Sequence, residues 1–270
     1  MKQLKSSLGD LRRLFAGTVT LRTIAEPLIS FDATHPAEEV LLFMRRREFD
    51  VVGLREGGVV TGYVTTNDLT TGEAGARIRR FDPGELLSEG DPLLQAFEAL
   101  RSRRHLFIQL LGQPGGIITR GDLQKAPVRL WLFGLVSLLE MQLLRVIRQR
   151  HPGKGWEPHL PAARLQATRR VFQERRRRNE ENDLSDCLQL ADKATLLMKD
   201  GVLFAISGFA SKRAAETFFK EVGTLRNALA HANDILAGRW PALADLVTRL
   251  EDLLERLEKA SPDPARSERF

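Results

Sequence analysis

The feature that most constrains this chain is a phrase it carries twice. Gly62-Tyr63-Val64-Thr65 leads to Asp68-Leu69, and Gly116-Ile117-Ile118-Thr119 leads to Asp122-Leu123. Each copy is a glycine, two apolar residues and a threonine, with an aspartate and a leucine following at a fixed distance. A repeated phrase reports a duplicated structural unit and decides the architecture before local propensities are weighed. The match runs backwards through Pro36 and Pro92, Leu41 and Phe97, Met44 and Leu100, Arg45 and Arg101, and Val51-Val52 and Phe107-Ile108. The offset is 56 at the prolines and 54 at the aspartates, which predicts a two-residue deletion in the loop from Leu111 to Gly115.

Each copy reads as alternating strand and helix. The first has an extended start over Leu28 to Phe31 and a helix opening at Pro36. Proline needs no amide donor there, and Thr34 is placed to cap. Strand Val51 to Leu54, a Glu56-Gly57-Gly58 turn and strand Val59 to Val64 follow, then a helix after Thr65 with Asn67 and Asp68 in its first turn. The second copy predicts a helix over 92–103, strand 106–110, a turn at 112–115 and strand 116–118. This is α/β packing. After Asp122 the texture changes. Residues 128–150 are almost continuously apolar, His151 to Pro158 is a loop, and helical periodicity resumes over 161–180, 184–200, 211–236 and 240–259 without a strand. Leu4, Leu8, Leu11, Leu14 and Phe15 mark an amphipathic helix over 2–16. The expected layout is a leading helix within 1–23 and an α/β module over 24–125, with copies at about 24–72 and 80–125. An all-α helical bundle over 126–260 and a flexible tail over 261–270 complete it.

Composition narrows the classes. Cys187 is the single cysteine among 270 residues, so there is no intrachain disulfide framework and no cysteine metal cluster. Lys2, Lys5 and Asp10 interrupt any signal-peptide core, and a cytoplasmic protein is expected. The apolar run from Leu130 to Leu139 meets Glu140 and Gln142 well short of the roughly 20 residues of a membrane span, which predicts a buried helix and no membrane partner. The net charge is +6, and residues 1–125 hold 17 basic against 16 acidic residues, leaving 24 against 19 for the rest. A basic excess in one half points to a polyanion such as RNA; a solvated arginine-rich surface is the plainer reading. Arg175 to Arg178 are followed by Glu180, Glu181 and Asp183, which reads as local compensation.

The repeated Thr-x-x-Asp lies at a strand-to-helix junction. A hydroxyl and a carboxylate there can accept hydrogens from a vicinal diol while backbone amides meet a phosphate; equally, they can form an ordinary helix cap. With the Gly-apolar-apolar-Thr-x-x-Asp phrase present twice, residues 24–125 resemble a tandem pair of CBS domains. The resemblance implies an adenosyl ligand (AMP, ADP, ATP or S-adenosylmethionine) in the cleft between copies. It implies ribose contacts from Asp68 and Asp122 and hydroxyl contacts from Thr65 and Thr119. Arg120 is placed to meet a phosphate. Many members carry a proline before the central strand, where Asp50 and Leu106 stand here.

Leu225-Arg226-Asn227-Ala228-Leu229-Ala230-His231 is the second constellation. Asn227 and His231, four apart, share a helix face. The helical half resembles the HEPN superfamily, defined by an arginine, a polar residue and a histidine four to six residues after the arginine. That resemblance implies a metal-independent endoribonuclease of defence or stress systems, with Arg226, Asn227 and His231 catalytic and the site completed across a homodimer. Single-stranded RNA is the expected partner, and catalysis needs no cofactor or metal. The chemistry suits the residues: an imidazole moves protons near neutral pH, and a guanidinium offers forked donors to a five-coordinate phosphate. Glu140, on an otherwise apolar helix, is expected to need a partner, and Arg226 is the one named; Arg145 or an exposed helix edge is the alternative. A non-catalytic regulatory or dimerisation protein that binds an adenine nucleotide is the other reading.

Overall fold

The computed structural model describes residues 6–236, 238 and 240–260. Leu4 and the predicted tail over 261–270 lie outside the described residues. The chain divides into two compact units, one of Leu14–Val128 and one of Met1–Arg13 with Arg129–Phe270.

Helix α1 spans Leu8–Gly17. The α/β unit then contains β1 (Glu26–Pro27), β2 (Ser30–Asp32), α2 (Ala37–Arg47), β3 (Val51–Glu56), β4 (Val59–Thr65), β5 (Arg79–Arg80), β6 (Leu86–Ser88), α3 (Leu93–Ala99), β7 (His105–Leu110) and β8 (Gln113–Thr119). Two four-stranded sheets form, ordered β2-β3-β4-β5 and β1-β8-β7-β6. In each, a short strand pairs parallel to the first arm of a hairpin, and another pairs antiparallel to the second arm. The outer strand of each sheet comes from ahead of the other copy: β1 precedes the first copy yet joins β8, and β5 precedes the second yet joins β4. Alternate residues of β3, Val52 and Leu54, are fully buried with Val40 and Met44 of α2, the period-two pattern of a strand with one covered face.

Both hairpins turn on two residues with positive φ, Gly57 and Gly58 at +61° and +84°, Leu111 and Gly112 at +52° and +79°. That is the type I′ geometry whose twist suits a two-residue hairpin. It also corrects the predicted position of the deletion. Val51 opposes Thr65 and His105 opposes Thr119, with a register irregularity after Leu54 in one copy and after Ile108 in the other. The offset of 54 therefore holds through both hairpins. The two residues are lost ahead of β7, where α3 runs seven residues against eleven in α2. A helix end absorbs a deletion, whereas a one-residue slip in a hairpin turns every side chain to the wrong face. Arg104, not Leu106, thus matches Asp50, and the loop at Leu111 is not shortened.

Two local expectations also change. Pro36 is the N-cap of α2 with no side-chain cap bond, so Thr34 does not cap it. After Thr65 the chain makes a turn over 66–68 and then a 3-10 helix, Ala74–Arg77, rather than an α-helix; after Thr119 it makes a 3-10 helix, Arg120–Gln124.

The second unit is built from α4 (Ala126–Arg150), α5 (Ala162–Arg177), α6 (Leu190–Lys199), α7 (Gly201–Ser207), α8 (Lys212–Ala230) and α9 (Trp240–Ala260), with no strand among its described residues. Leu132, Leu135, Leu139, Leu143 and Ile147 of α4 are fully buried, as are Phe218 and Val222 of α8 and Leu250, Leu254 and Leu257 of α9. The predicted 184–200 helix is broken: a 3-10 turn, Leu184–Cys187, precedes α6, and Asp200 begins α7 by accepting from the Val202 and Leu203 amides. The leading residues join this unit. The Leu8 amide donates to Glu258 at 2.7 Å, and Arg12 bridges Glu251 and Glu255. By length and composition α4 is apolar enough to cross a membrane, and 56% of its apolar window is buried inside the protein. Leu130, Phe133 and Met141 are left exposed along one stripe, at 64%, 48% and 51%.

Candidate functional site

In the α/β unit a cavity of about 1010 Å³ opens between the two copies, lined by Thr65, Thr66 and Asn67 from one and by Thr119, Arg120, Gly121 and Asp122 from the other. The Thr-Asp pairs have the same geometry twice. Asp68 Oδ2 accepts from the Thr65 amide and hydroxyl at 2.8 and 2.7 Å, and Asp122 Oδ2 from those of Thr119 at 2.7 and 2.9 Å. This is the helix-cap arrangement, and it consumes one oxygen of each carboxylate. The other oxygen meets a cation in both copies: Arg79 for Asp68, and Lys125 for Asp122 at 2.9 Å. Burial opposes ionisation of Asp68, but the bonds from Arg79 and Thr65 outweigh it and hold the carboxyl below its usual range. Burial likewise opposes the Lys125 charge, and its bonds to Glu26 and Asp122 raise it above the usual lysine value.

The copies differ in exposure to the cavity. Asp122 borders it, whereas Asp68 is not among its lining residues. Arg120 also borders it, with Nε and Nη2 donating to the Leu100 carbonyl at 3.3 and 3.2 Å. Three further residues line it, Arg79, Arg104 and His105; the repeat as aligned from sequence pairs His105 with Phe49 and gives none of the three a role. Arg104 went unnoticed because the repeat was aligned two residues out. His105 sits edge-on to Tyr63 and Phe107, with centroids 5.4 and 5.1 Å away. Burial pushes its imidazole below the usual histidine value, against the pull of Glu85.

In the helical unit the site is built on α4, α6 and α8. Ser211 caps α8, accepting from the Ala214 amide at 3.1 Å. The helix stops at Ala230 rather than at the predicted 236. Arg129 donates to the Ala228, Leu229 and Asn233 carbonyls at 2.8, 3.3 and 2.9 Å, satisfying acceptors that a helix end leaves open. Ala232 then reverses the chain at φ +54°. His231 is thus the residue at which α8 ends, its amide donating to the Asn227 carbonyl at 3.0 Å. Arg226, Asn227 and His231 are exposed and border one cavity of about 640 Å³ together with Glu140 and Lys193.

Glu140 lies between two cations. Its Oε1 is 3.2 Å from Arg226 Nε, and its Oε2 is 3.1 Å from Lys193 Nζ. The side chains are graded in burial, Lys193 at 7% exposed, Glu140 at 23% and Arg226 at 52%. A buried ammonium is tolerable only when paired, and the same carboxylate that pairs it holds the guanidinium at the rim. Sequence reasoning missed Lys193. The signal was present: Leu190, Ala194 and Leu197 are buried on α6, and a lysine interrupts that apolar face.

No protein-family model and no curated protein matches this chain. Among solved structures, it is similar to a CBS domain-containing protein from Bacillus anthracis at 13% identity and TM-score 0.37, covering 42% of this chain and 94% of that one. It is similar to CBSX2, solved in complex with AMP, at 16% identity and TM-score 0.36, covering 41% and 97%. The CBS domains of a transcriptional regulator from Streptococcus pneumoniae are similar at 14% identity and TM-score 0.35, covering 39% and 97%.

Proposed function

We propose that this chain is a nucleotide-regulated ribonuclease, with a CBS-type pair over residues 24–125 that senses an adenosyl ligand and a HEPN-type domain over 126–260 that cleaves single-stranded RNA. The observation that carries the catalytic half is that Arg226, Asn227 and His231 share one accessible cavity with Glu140 bonded to the arginine. In the reaction, the ribose 2′-oxygen attacks the adjacent phosphorus. An O2′–P bond forms and the P–O5′ bond breaks, leaving a 2′,3′-cyclic phosphate and a free 5′-hydroxyl. His231 takes the 2′-hydroxyl proton, and a second imidazole returns one to the departing oxygen. Arg226 neutralises the charge gathering on the phosphate. One chain holds one such histidine, so a homodimer supplies the pair. The exposed stripe of Leu130, Phe133 and Met141 on α4, with Phe133 and Met141 bordering the same cavity, favours a second copy as its cover. Catalysis needs only side chains and no cofactor.

For the sensor half, support comes from two matched Thr-Asp junctions around one cavity with arginines on its wall. AMP, ADP, ATP and S-adenosylmethionine all present the diol that Asp122 is placed to accept, and AMP is bound by one similar protein. The non-catalytic reading is favoured by a single observation, the engagement of Arg226 by Glu140, which a structural ion pair would also explain. Incubation with labelled single-stranded RNA in EDTA separates the two. The wild type cuts and leaves a cyclic phosphate end, and His231→Ala or Arg226→Ala lowers the rate at least about 100-fold. A wild type that leaves RNA intact, with and without each nucleotide, supports the non-catalytic protein instead.

A further inference from the structure

The arginine run that closes α5 is not compensated as its sequence suggests. Of the carboxylates downstream, Glu180 approaches Arg175 at 3.8 Å, and Asp183 faces Arg148 and caps Ser185. Earlier on the helix Arg164 is bound by buried Asp192, and Arg169 by Glu157. Among the described residues, no carboxylate lies within ion-pair distance of Arg170, Arg176, Arg177 or Arg178. Of these, Arg176 and Arg177 border a concave surface of about 540 Å³, lined also by Lys154, Arg169, Phe172, Gln173 and Leu184. Phe172 is half-buried in it, with the Arg176 guanidinium 5.8 Å from the ring centroid.

We infer that this groove on α5 is where the helical unit grips its substrate, a single strand of RNA. The inference rests on the ribonuclease reading for its choice of RNA and on the groove's own chemistry for the rest. Cations spaced along one helix face track a phosphate backbone, and an aromatic ring between them stacks an unpaired base. A duplex keeps its base faces inside the stack, so Phe172 has nothing to meet there. Gln173 supplies an amide that can bond a base edge. Adjacent residues of α6 tie α5 to α4: Asp192 holds Arg164 of α5, and Lys193 holds Glu140 of α4.

The test is fluorescence anisotropy of full-length His231→Ala protein with a labelled single-stranded RNA 20-mer, in EDTA over a range of salt. Arg176→Gln with Arg177→Gln should weaken binding at least about tenfold and flatten the log K against log salt slope by about 1.4, two single-strand phosphate contacts. Phe172→Ala should weaken it about tenfold and leave the slope unchanged, which a purely electrostatic surface would not do. Thermal melts confirm that each variant is folded; if Phe172→Ala is not, Phe172→Leu replaces it and should show the same loss at constant slope. Unchanged affinity in the double arginine variant overturns the inference. So does a duplex RNA bound as tightly as the single strand, or a single-stranded DNA of the same sequence bound equally and lost in parallel. The two proposals fail separately. Binding lost in the groove variants of a protein that never cuts RNA sinks the nuclease and keeps the groove, and normal cutting and binding in those variants does the reverse.

Discussion

Glu140 on α4 and Lys193 on α6 are charged residues among apolar neighbours, and each is the other's partner. Their burial makes opposite predictions for stability and activity. Glu140→Gln leaves a 7%-exposed ammonium without its carboxylate and is expected to cost about 3 kcal/mol, read as a fall in urea midpoint. Lys193→Met removes the desolvated charge and should leave the midpoint unchanged or higher, yet slow RNA cleavage because Glu140, still bonded to Arg226, loses the second contact that fixes its carboxylate. In the other unit, Asp122→Ala should abolish adenosyl-ligand binding in calorimetry while Asp68→Ala retains it, since Asp122 borders the cavity and Asp68 does not. His105 gives a pH signature. Its folded pKa lies below the usual value because burial disfavours the imidazolium. The neutral ring therefore contributes stability above about pH 6.5, and that contribution is lost as pH falls through the folded value. Melting the His105→Phe variant at pH 7.5 and pH 5 should show a smaller drop than in the wild type.

At the scale of elements, the paired glycines of the repeat prove to have different reasons. A Cβ at Gly62 would stand 2.3 Å from the Arg79 carbonyl oxygen, where β5 crosses β4, whereas one at Gly116 meets nothing nearer than the Ile108 Cβ at 3.1 Å. Gly62→Ala should cost about 3 kcal/mol by forcing backbone apart, and Gly116→Ala about 1 kcal/mol, measured by chemical denaturation. Leu111, 91% exposed at φ +52°, is the reverse case. Leu111→Gly should stabilise by about 1 kcal/mol, because the turn asks for a left-handed residue that leucine adopts at a cost. The first hairpin was legible in sequence because alternation and a Gly-Gly pair are local signals; the second turn, expected over 112–115, sits on Leu111-Gly112, because Gly115-Gly116 lies within β8. Strands β1, β5 and β6 were not, since two or three residues carry no period and exist by pairing with distant partners. The same holds at Thr65, where a capping pattern predicted an α-helix and a turn formed. The partners of α1 were equally hidden, because Glu251, Glu255 and Glu258 lie more than 230 residues along the chain.

Among the described residues, α4 carries an exposed apolar stripe of Leu130, Phe133 and Met141, which the proposed dimer would cover. Phe133→Asp with Met141→Asp should convert a dimer to a monomer in light scattering. RNA cleavage should fall with it, because the second imidazole is lost, while melting of the monomer stays close to that of the wild type. The division into an α/β part and a helical part was readable from the change of pattern after Asp122, and the Arg226-to-His231 phrase falls on residues that border one cavity. What composition hid was the distribution of charge: the arginine run looked neutralised because its acids are near in sequence, although Glu180 meets Arg175 alone and Asp183 turns to Arg148.

The exchange of outer strands between the two sheets carries a historical implication. Neither copy contains the pieces needed to finish its own sheet, since β1 serves the later hairpin and β5 the earlier one. A single copy of this module would leave that edge of its sheet open unless it traded the segment with an identical twin. Fusion of the two genes would then have turned a reciprocal embrace between molecules into one chain, freeing each half to diverge in the residues that face the cleft.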